Sequence, residues 1–173
     1  MSLIRVPLGW PSGFFDFTGP LDYLGYDGGA GIGSGPGMTV GAALALRESG
    51  YLPVAVLGDG DFLMGATALW TAAKYRIPAL IIVANNQSYY NDEIHQENVA
   101  RQRNRPVENK WIGQKMIEPA VDLAQVARAQ GLVGLGPISR LRQLTDAMAQ
   151  AIRTVEAGSP TVVDVVVKPG YQS

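Results

Sequence analysis

At 173 residues the chain fits one domain with room for a proper core, and its 47% hydrophobic and 17% charged composition is ordinary for an α/β domain around a buried sheet. Lys and Arg number 14 against 15 Asp and Glu, a net charge of −1, which excludes polyelectrolyte attraction to nucleic acid or an anionic membrane. The lack of cysteine excludes disulfides, thiolate nucleophiles and zinc–thiolate centres. No apolar run approaches the roughly 20 residues of a membrane-spanning helix. The N-terminus has no signal-peptide core either, so a cytoplasmic protein is expected.

Residues 1–20 read as an irregular N-terminal segment, because prolines and glycines interrupt Leu3, Ile4, Val6 and Leu8. Phe14, Phe15 and Phe17 suit a covered edge or a partner subunit. Residues 22–27 predict a short strand running into the glycine-rich stretch 28–37. Residues 38–48 have helix-forming composition, with Pro36 near the start and Ser49-Gly50 as the stop. An apolar strand at 53–57 ends in Gly58-Asp59-Gly60-Asp61. The helical spacing of Phe62, Leu63, Ala66, Leu69, Trp70 and Ala73 then predicts one helix over 62–76 with all six in the core. Pro78 forbids further helix, and the strand at 79–84 ends in Asn85-Asn86. Residues 92–118 are polar and read as an irregular lid or interface loop. An amphipathic helix at 119–130, a short strand at 132–135, and a helix at 138–157 follow. In that last helix Leu141, Leu144, Met148, Ala151, Ile152 and Val155 line one face. The β-branched strand 161–167 closes the pattern. The alternation predicts a three-layer α/β/α sandwich with a mostly parallel sheet of about five strands, its opening strand not identified, and residues 21–173 as the domain proper.

Two parallel strands joined by one crossover helix place their ends on the same sheet edge, where open α/β sheets bind ligands. Asp59 and Asn86 sit at those ends, and a carboxylate beside a neutral amide oxygen suits a hard cation such as Mg²⁺. The glycines, 21 of 173, cluster between Gly25 and Gly37 and so mark a site. They are not a dinucleotide fingerprint: counted from Gly29 the pattern needs glycine at Ser34, and from Gly31 it needs glycine at Pro36. Glycine here instead permits close backbone approach to a flat ligand.

Asp-Gly alone is a common turn pair. Gly58-Asp59-Gly60 in register with Asn85-Asn86, and with residues 68–78 between them, resembles the metal and diphosphate motif of thiamine diphosphate-dependent enzymes. Within them the chain is most similar to the cofactor-binding C-terminal domain of the acetolactate synthase and benzoylformate decarboxylase group, from about residue 21 to 167. The resemblance implies a thiamine diphosphate-binding fold and a lyase or transferase that decarboxylates or ligates 2-oxo acids. It also implies Mg²⁺ held by Asp59, Asn86 and the main-chain carbonyl of Ser88, and diphosphate held around Gly58, Gly60, Asp61 and the turn at Tyr89. Main-chain groups of Gly29, Ala30 and Gly31 would touch the aminopyrimidine. Ile32 would wedge the coenzyme into its bent shape, the alternative being a glycine-rich turn with Ile32 merely buried.

Asp61 departs from the small neutral residue usual in the family. The expectation is that it caps a helix starting at Phe62. No catalytic residue is identified. His95, the one histidine, is either a proton donor above the coenzyme or a solvated surface group, and Arg101, Arg103, Arg105 and Lys110 either meet a substrate carboxylate or face water. The activating glutamate of the family belongs to a separate pyrimidine-binding domain or subunit, and family sites lie between subunits. The expectations are therefore a homo-oligomer, at least a dimer, weak cofactor binding by this chain alone, and a chain that is part of a longer polypeptide or a split subunit. Two further readings stay open: a non-catalytic Mg-diphosphate or nucleotide-binding module, and a regulatory or assembly domain.

Overall fold

The computed structural model describes residues 1–6, 12–25 and 31–170. Strands β1 (Ser2–Arg5), β2 (Pro53–Gly58), β3 (Leu80–Asn85), β4 (Val133–Ile138) and β5 (Thr161–Val166) form one parallel sheet in the order β1-β2-β3-β5-β4. The helices are α1 (Ser34–Ala45), α2 (Asp59–Gly65), α3 (Ala68–Lys74), α4 (Tyr90–Gln102), α5 (Leu123–Ala129) and α6 (Leu141–Glu156). On one face Val40, Phe62, Leu69 and Leu123 pack onto Ile4, Leu57 and Ile81. On the other, Leu144, Met148, Ala151 and Val155 of α6 pack onto Leu3, Val54, Leu80 and Val163. Burial from both sides is why β2, β3 and β5 are nearly continuous apolar runs without alternation. The result is the three-layer α/β/α sandwich expected, with the sheet parallel throughout. Among the described residues no helix is long and apolar enough to cross a membrane.

The N-terminal segment is not irregular throughout. Ser2–Arg5 is an edge strand, buried along its length and paired parallel to β2, with Leu3 aligned to Val54. The prolines that argued against a regular element come after it, so four residues suffice. Of the strand expected at 22–27, residues 26 and 27 lie outside the described residues, and residues 22–25 form only a bridge between Leu3 and Tyr23, whose flanking main-chain bonds run from Leu3 N to Asp22 O (2.8 Å) and from Leu24 N to Leu3 O (3.0 Å).

The single helix expected at 62–76 is two, α2 and α3, separated at Ala66 and Thr67. Ala66 and Thr67 keep right-handed helical dihedrals, and burial runs on in one helical period through Phe62, Ala66, Leu69 and Ala72, which leaves Trp70 53% exposed beside that stripe. Trp70 is therefore not core; Lys74 Nζ sits 4.7 Å from its ring centroid. Residues 90–102, expected as part of an irregular stretch, form α4, which buries only Glu93. Its helicity owes little to hydrophobic periodicity. Asp92 and Glu93 in the first turn and Arg101 in the last complement the helix dipole, and Arg101 pairs with Glu97 one turn earlier.

Candidate cofactor site

Parallel pairing of Gly58 with Ala84 brings the C-terminal ends of β2 and β3 side by side. Asp59 follows immediately as the first residue of α2, and Asn86 is the first residue past β3. Their side chains converge on one donor: Ser88 N–H donates to Asp59 Oδ2 at 3.2 Å and to Asn86 Oδ1 at 2.9 Å. The other Asp59 oxygen accepts from Gly60 N–H at 2.9 Å. Asp59 is 3% exposed, and burial pushes its carboxyl above the usual carboxylate range, with N–H donation from Gly60, Gln87 and Ser88 pulling the other way.

The turn that carries Ser88 is held from outside. Gln87 adopts φ +59°, a left-handed conformation that costs a non-glycine residue about 1 kcal/mol or more. Asn85 Oδ1 accepts from Gln87 N–H at 3.2 Å, and Asn85 Nδ2 donates to the buried Asp164 of β5 at 2.9 Å. Gln87 O accepts from Met116 N–H and Tyr89 N–H donates to Gln114 O, both at 2.9 Å, which ties the turn to the segment around Lys115. The Ser88 hydroxyl donates to Glu93 of α4, away from the strand tips.

A cleft of about 250 Å³ opens here. Ile32, Gly58, Asp59, Gly60, Asp61, Asn86, Ser88 and Tyr89, all singled out in the sequence, line it. Tyr89 lays its ring against Gly60, where a Cβ would lie 2.2 Å from a ring carbon and would force the ring to move. Burial, then Asp59 and Asp92, raise the Tyr89 phenol pKa. Ile32 is 49% exposed, so the reading of it as simply buried fails. Gly31 is exposed and its carbonyl accepts from Ser34 Oγ at 2.7 Å. Gly29 and Ala30 lie outside the described residues.

Asp61 does not cap its own helix. It is the third residue of α2, and its Oδ1 accepts from Gly33 and Gly35 N–H at the start of α1. His95 is exposed on α4 and does not line the cleft. Arg101 and Lys110 both pair with Glu97. Lys168, which the sequence reading passed over, lines the cleft just beyond β5, together with Asn91 and Asp92 at the start of α4. Its signal was topological: a third parallel strand ends on the same edge. A larger groove, about 510 Å³, lies between α1 and α3 against Val40, Leu44 and Tyr75, but it is apolar and far from the strand tips.

The model of the thiamine pyrophosphate enzyme C-terminal TPP-binding domain matches residues 8–165, most of the chain. The chain belongs to this family. Benzoylformate decarboxylase of Pseudomonas aeruginosa is 42% identical over 59 residues, 34% of this chain and 11% of the relative. The acetolactate synthase isozyme 3 large subunit of Escherichia coli is 27% identical over 154 residues, 89% of this chain and 25% of the relative. The benzoylformate decarboxylase structure from Polynucleobacter necessarius superposes with a TM-score of 0.76 at 19% identity, covering 99% of this chain and 31% of that one. The thiamine diphosphate-dependent 4-hydroxybenzoylformate decarboxylase of Rhodococcus jostii RHA1 gives 0.73 at 24% identity, covering 99% and 30%. These two likenesses establish the fold. The chain thus spans a quarter or less of these curated relatives, as the TPP-binding domain of a family of thiamine diphosphate enzymes.

Proposed function

We propose that this TPP-binding domain anchors thiamine diphosphate through Mg²⁺ and serves an enzyme that decarboxylates or ligates a 2-oxo acid. The observation that carries the metal is the convergence of Asp59 and Asn86 on the Ser88 N–H. A buried carboxylate whose hydrogen bonds come only from main-chain N–H groups gains from a cation on its open side. Ser88 fits the third place. The Gln87 carbonyl and the Tyr89 N–H face residues 114–116, while the Ser88 N–H faces Asp59 and Asn86, so the turn brings the Ser88 main chain to the strand tips. Among the described residues there is no cluster of three or more His, Cys, Asp or Glu able to hold a metal. One carboxylate with neutral oxygens makes a weak site alone, which fits a Mg²⁺ that needs diphosphate oxygens to complete its octahedron.

When bound, the coenzyme supplies the carbanion chemistry at its thiazolium ring. The residues of this chain bind and orient. Lys168 is positioned to neutralise diphosphate charge, and half-exposed Ile32 at the cleft mouth is the candidate wedge behind the coenzyme. In this reading the activating glutamate comes from a pyrimidine-binding domain or subunit. A homo-oligomer of at least two copies is part of the same proposal. The test is calorimetry with thiamine diphosphate, ATP and NAD, each with and without Mg²⁺. Magnesium-dependent binding of thiamine diphosphate alone, lost in Asp59→Ala, is the expected result. Equal binding of ATP would favour a general nucleotide module, and unimpaired binding by Asp59→Ala would remove the metal site.

A further inference from the structure

Helix α1 starts without a cap of its own. Gly33 at the N-cap position has no side chain to offer, and Ser34 turns its hydroxyl back to the Gly31 carbonyl. Asp61, from the first turn of α2, supplies the acceptor: its Oδ1 takes Gly33 N–H at 2.7 Å and Gly35 N–H at 3.2 Å. Its other oxygen lies 3.2 Å from Arg5 Nε. Arg5 is the last residue of β1 and only 7% exposed, and its Nη1 donates to Ser34 Oγ at 2.9 Å and to Met38 Sδ at 3.4 Å. Gly35 leaves the space this needs, since a Cβ there would lie 2.1 Å from Asp61 Oδ2. One nearly buried ion pair therefore joins the opening strand, the turn before α1 and the helix that carries Asp59.

We infer that Arg5 and Asp61 are positioning residues that latch the turn at 31–35, with Ile32 in it, over the cleft, and that Asp61 is not a diphosphate ligand. The inference rests on the proposed coenzyme site. A carboxylate aimed at a bound diphosphate would repel it. Here both oxygens are committed to N–H donors and a guanidinium, so the charge is neutralised within the protein. This accounts for an acidic residue where the family resemblance leads one to expect a small neutral one. It also gives β1 a part in the site.

Two measurements on the full chain decide it. In amide hydrogen exchange by NMR, Gly33 and Gly35 should be protected and should exchange about tenfold faster or more in Asp61→Ala and in Arg5→Met. The double variant should exchange no faster than Asp61→Ala, because the two act as one network. Asp61→Asn, which keeps an acceptor but not the charge, should fall between. Unchanged exchange in all variants overturns the latch. The second measurement compares Mg-pyrophosphate with Mg-thiamine diphosphate. Positioning of Ile32 predicts that the variants lose about tenfold or more in affinity for the coenzyme but stay within about twofold for pyrophosphate. Tighter binding of both ligands would make Asp61 a repulsive neighbour of the diphosphate. Equal loss of both, with a lower Tm, would make the pair a fold element only. Either result overturns the inference. If the parent chain binds neither ligand, the proposed function fails while the exchange rates still decide the latch.

Discussion

Asp59 is a buried carboxylate at the end of an apolar strand. Burial raises its pKa in the folded protein. A raised carboxyl pKa contributes stability that is whole below the ordinary carboxylate range and lost as pH rises through the folded value. Asp59→Asn is therefore expected to melt above the parent at pH 7 without Mg²⁺, the difference shrinking toward pH 4. Each 1 kcal/mol reads as about 2–4 °C for a chain of this size, and calorimetric melts across pH check it. The same variant should lose magnesium-dependent coenzyme binding by more than about 100-fold, since losing even a supporting partner of a metal ligand costs about 10–100-fold. Gly60→Ala would push a methyl into the Tyr89 ring and should destabilise by about 1–3 kcal/mol in urea titrations. Asp59 and Asn86 were legible in the sequence because each stands at the end of its own apolar run. The partners of Asp61 were not, because Arg5 and Gly33 reach it only through the fold.

Elements were legible where burial wrote a period and obscure where it did not. The helix α6 carries an apolar face and was readable, although its first residue, Leu141, is 82% exposed. The polar helix α4 was missed because charge placement sustains it. At α3 the helical period that buries Phe62, Ala66 and Leu69 separates two neighbours. Leu69→Ala, fully buried, should cost about 2–5 kcal/mol. Trp70→Ala, half exposed beside it, should cost about 1 kcal/mol or less in the isolated chain. Paired urea titrations separate the two, and equal costs would restore Trp70 to the core. The four-residue strand β1 escaped notice because so short a run carries no period; its pairing with β2 defines it.

For the molecule as a whole, parallel strands bring Asp59, Asn86, Ser88 and Lys168 to one edge of the sheet. That edge carries the groups proposed to hold metal and diphosphate, and the activating glutamate is proposed to come from a pyrimidine-binding domain or subunit. The chain alone, with thiamine diphosphate and Mg²⁺, is accordingly expected to release carbon dioxide from benzoylformate or pyruvate no faster than the free coenzyme does. Supplying a pyrimidine-binding domain should raise that rate. Sustained turnover by the 173-residue chain on its own would show that the activating group lies within it.

From its residues alone this chain declared an alternation of strands and helices and two oxygen donors at neighbouring strand ends. Those features depend on local hydrophobic period and on the fixed handedness of parallel crossovers. The tertiary structure decided the rest: β1 beside β2, Trp70 turned outward, and Arg5 joined to Asp61 across the turn before α1. The first and last are contacts between segments distant in the chain, Trp70 is exposed because its helix turns another face to the sheet, and all three are set by how the layers pack together.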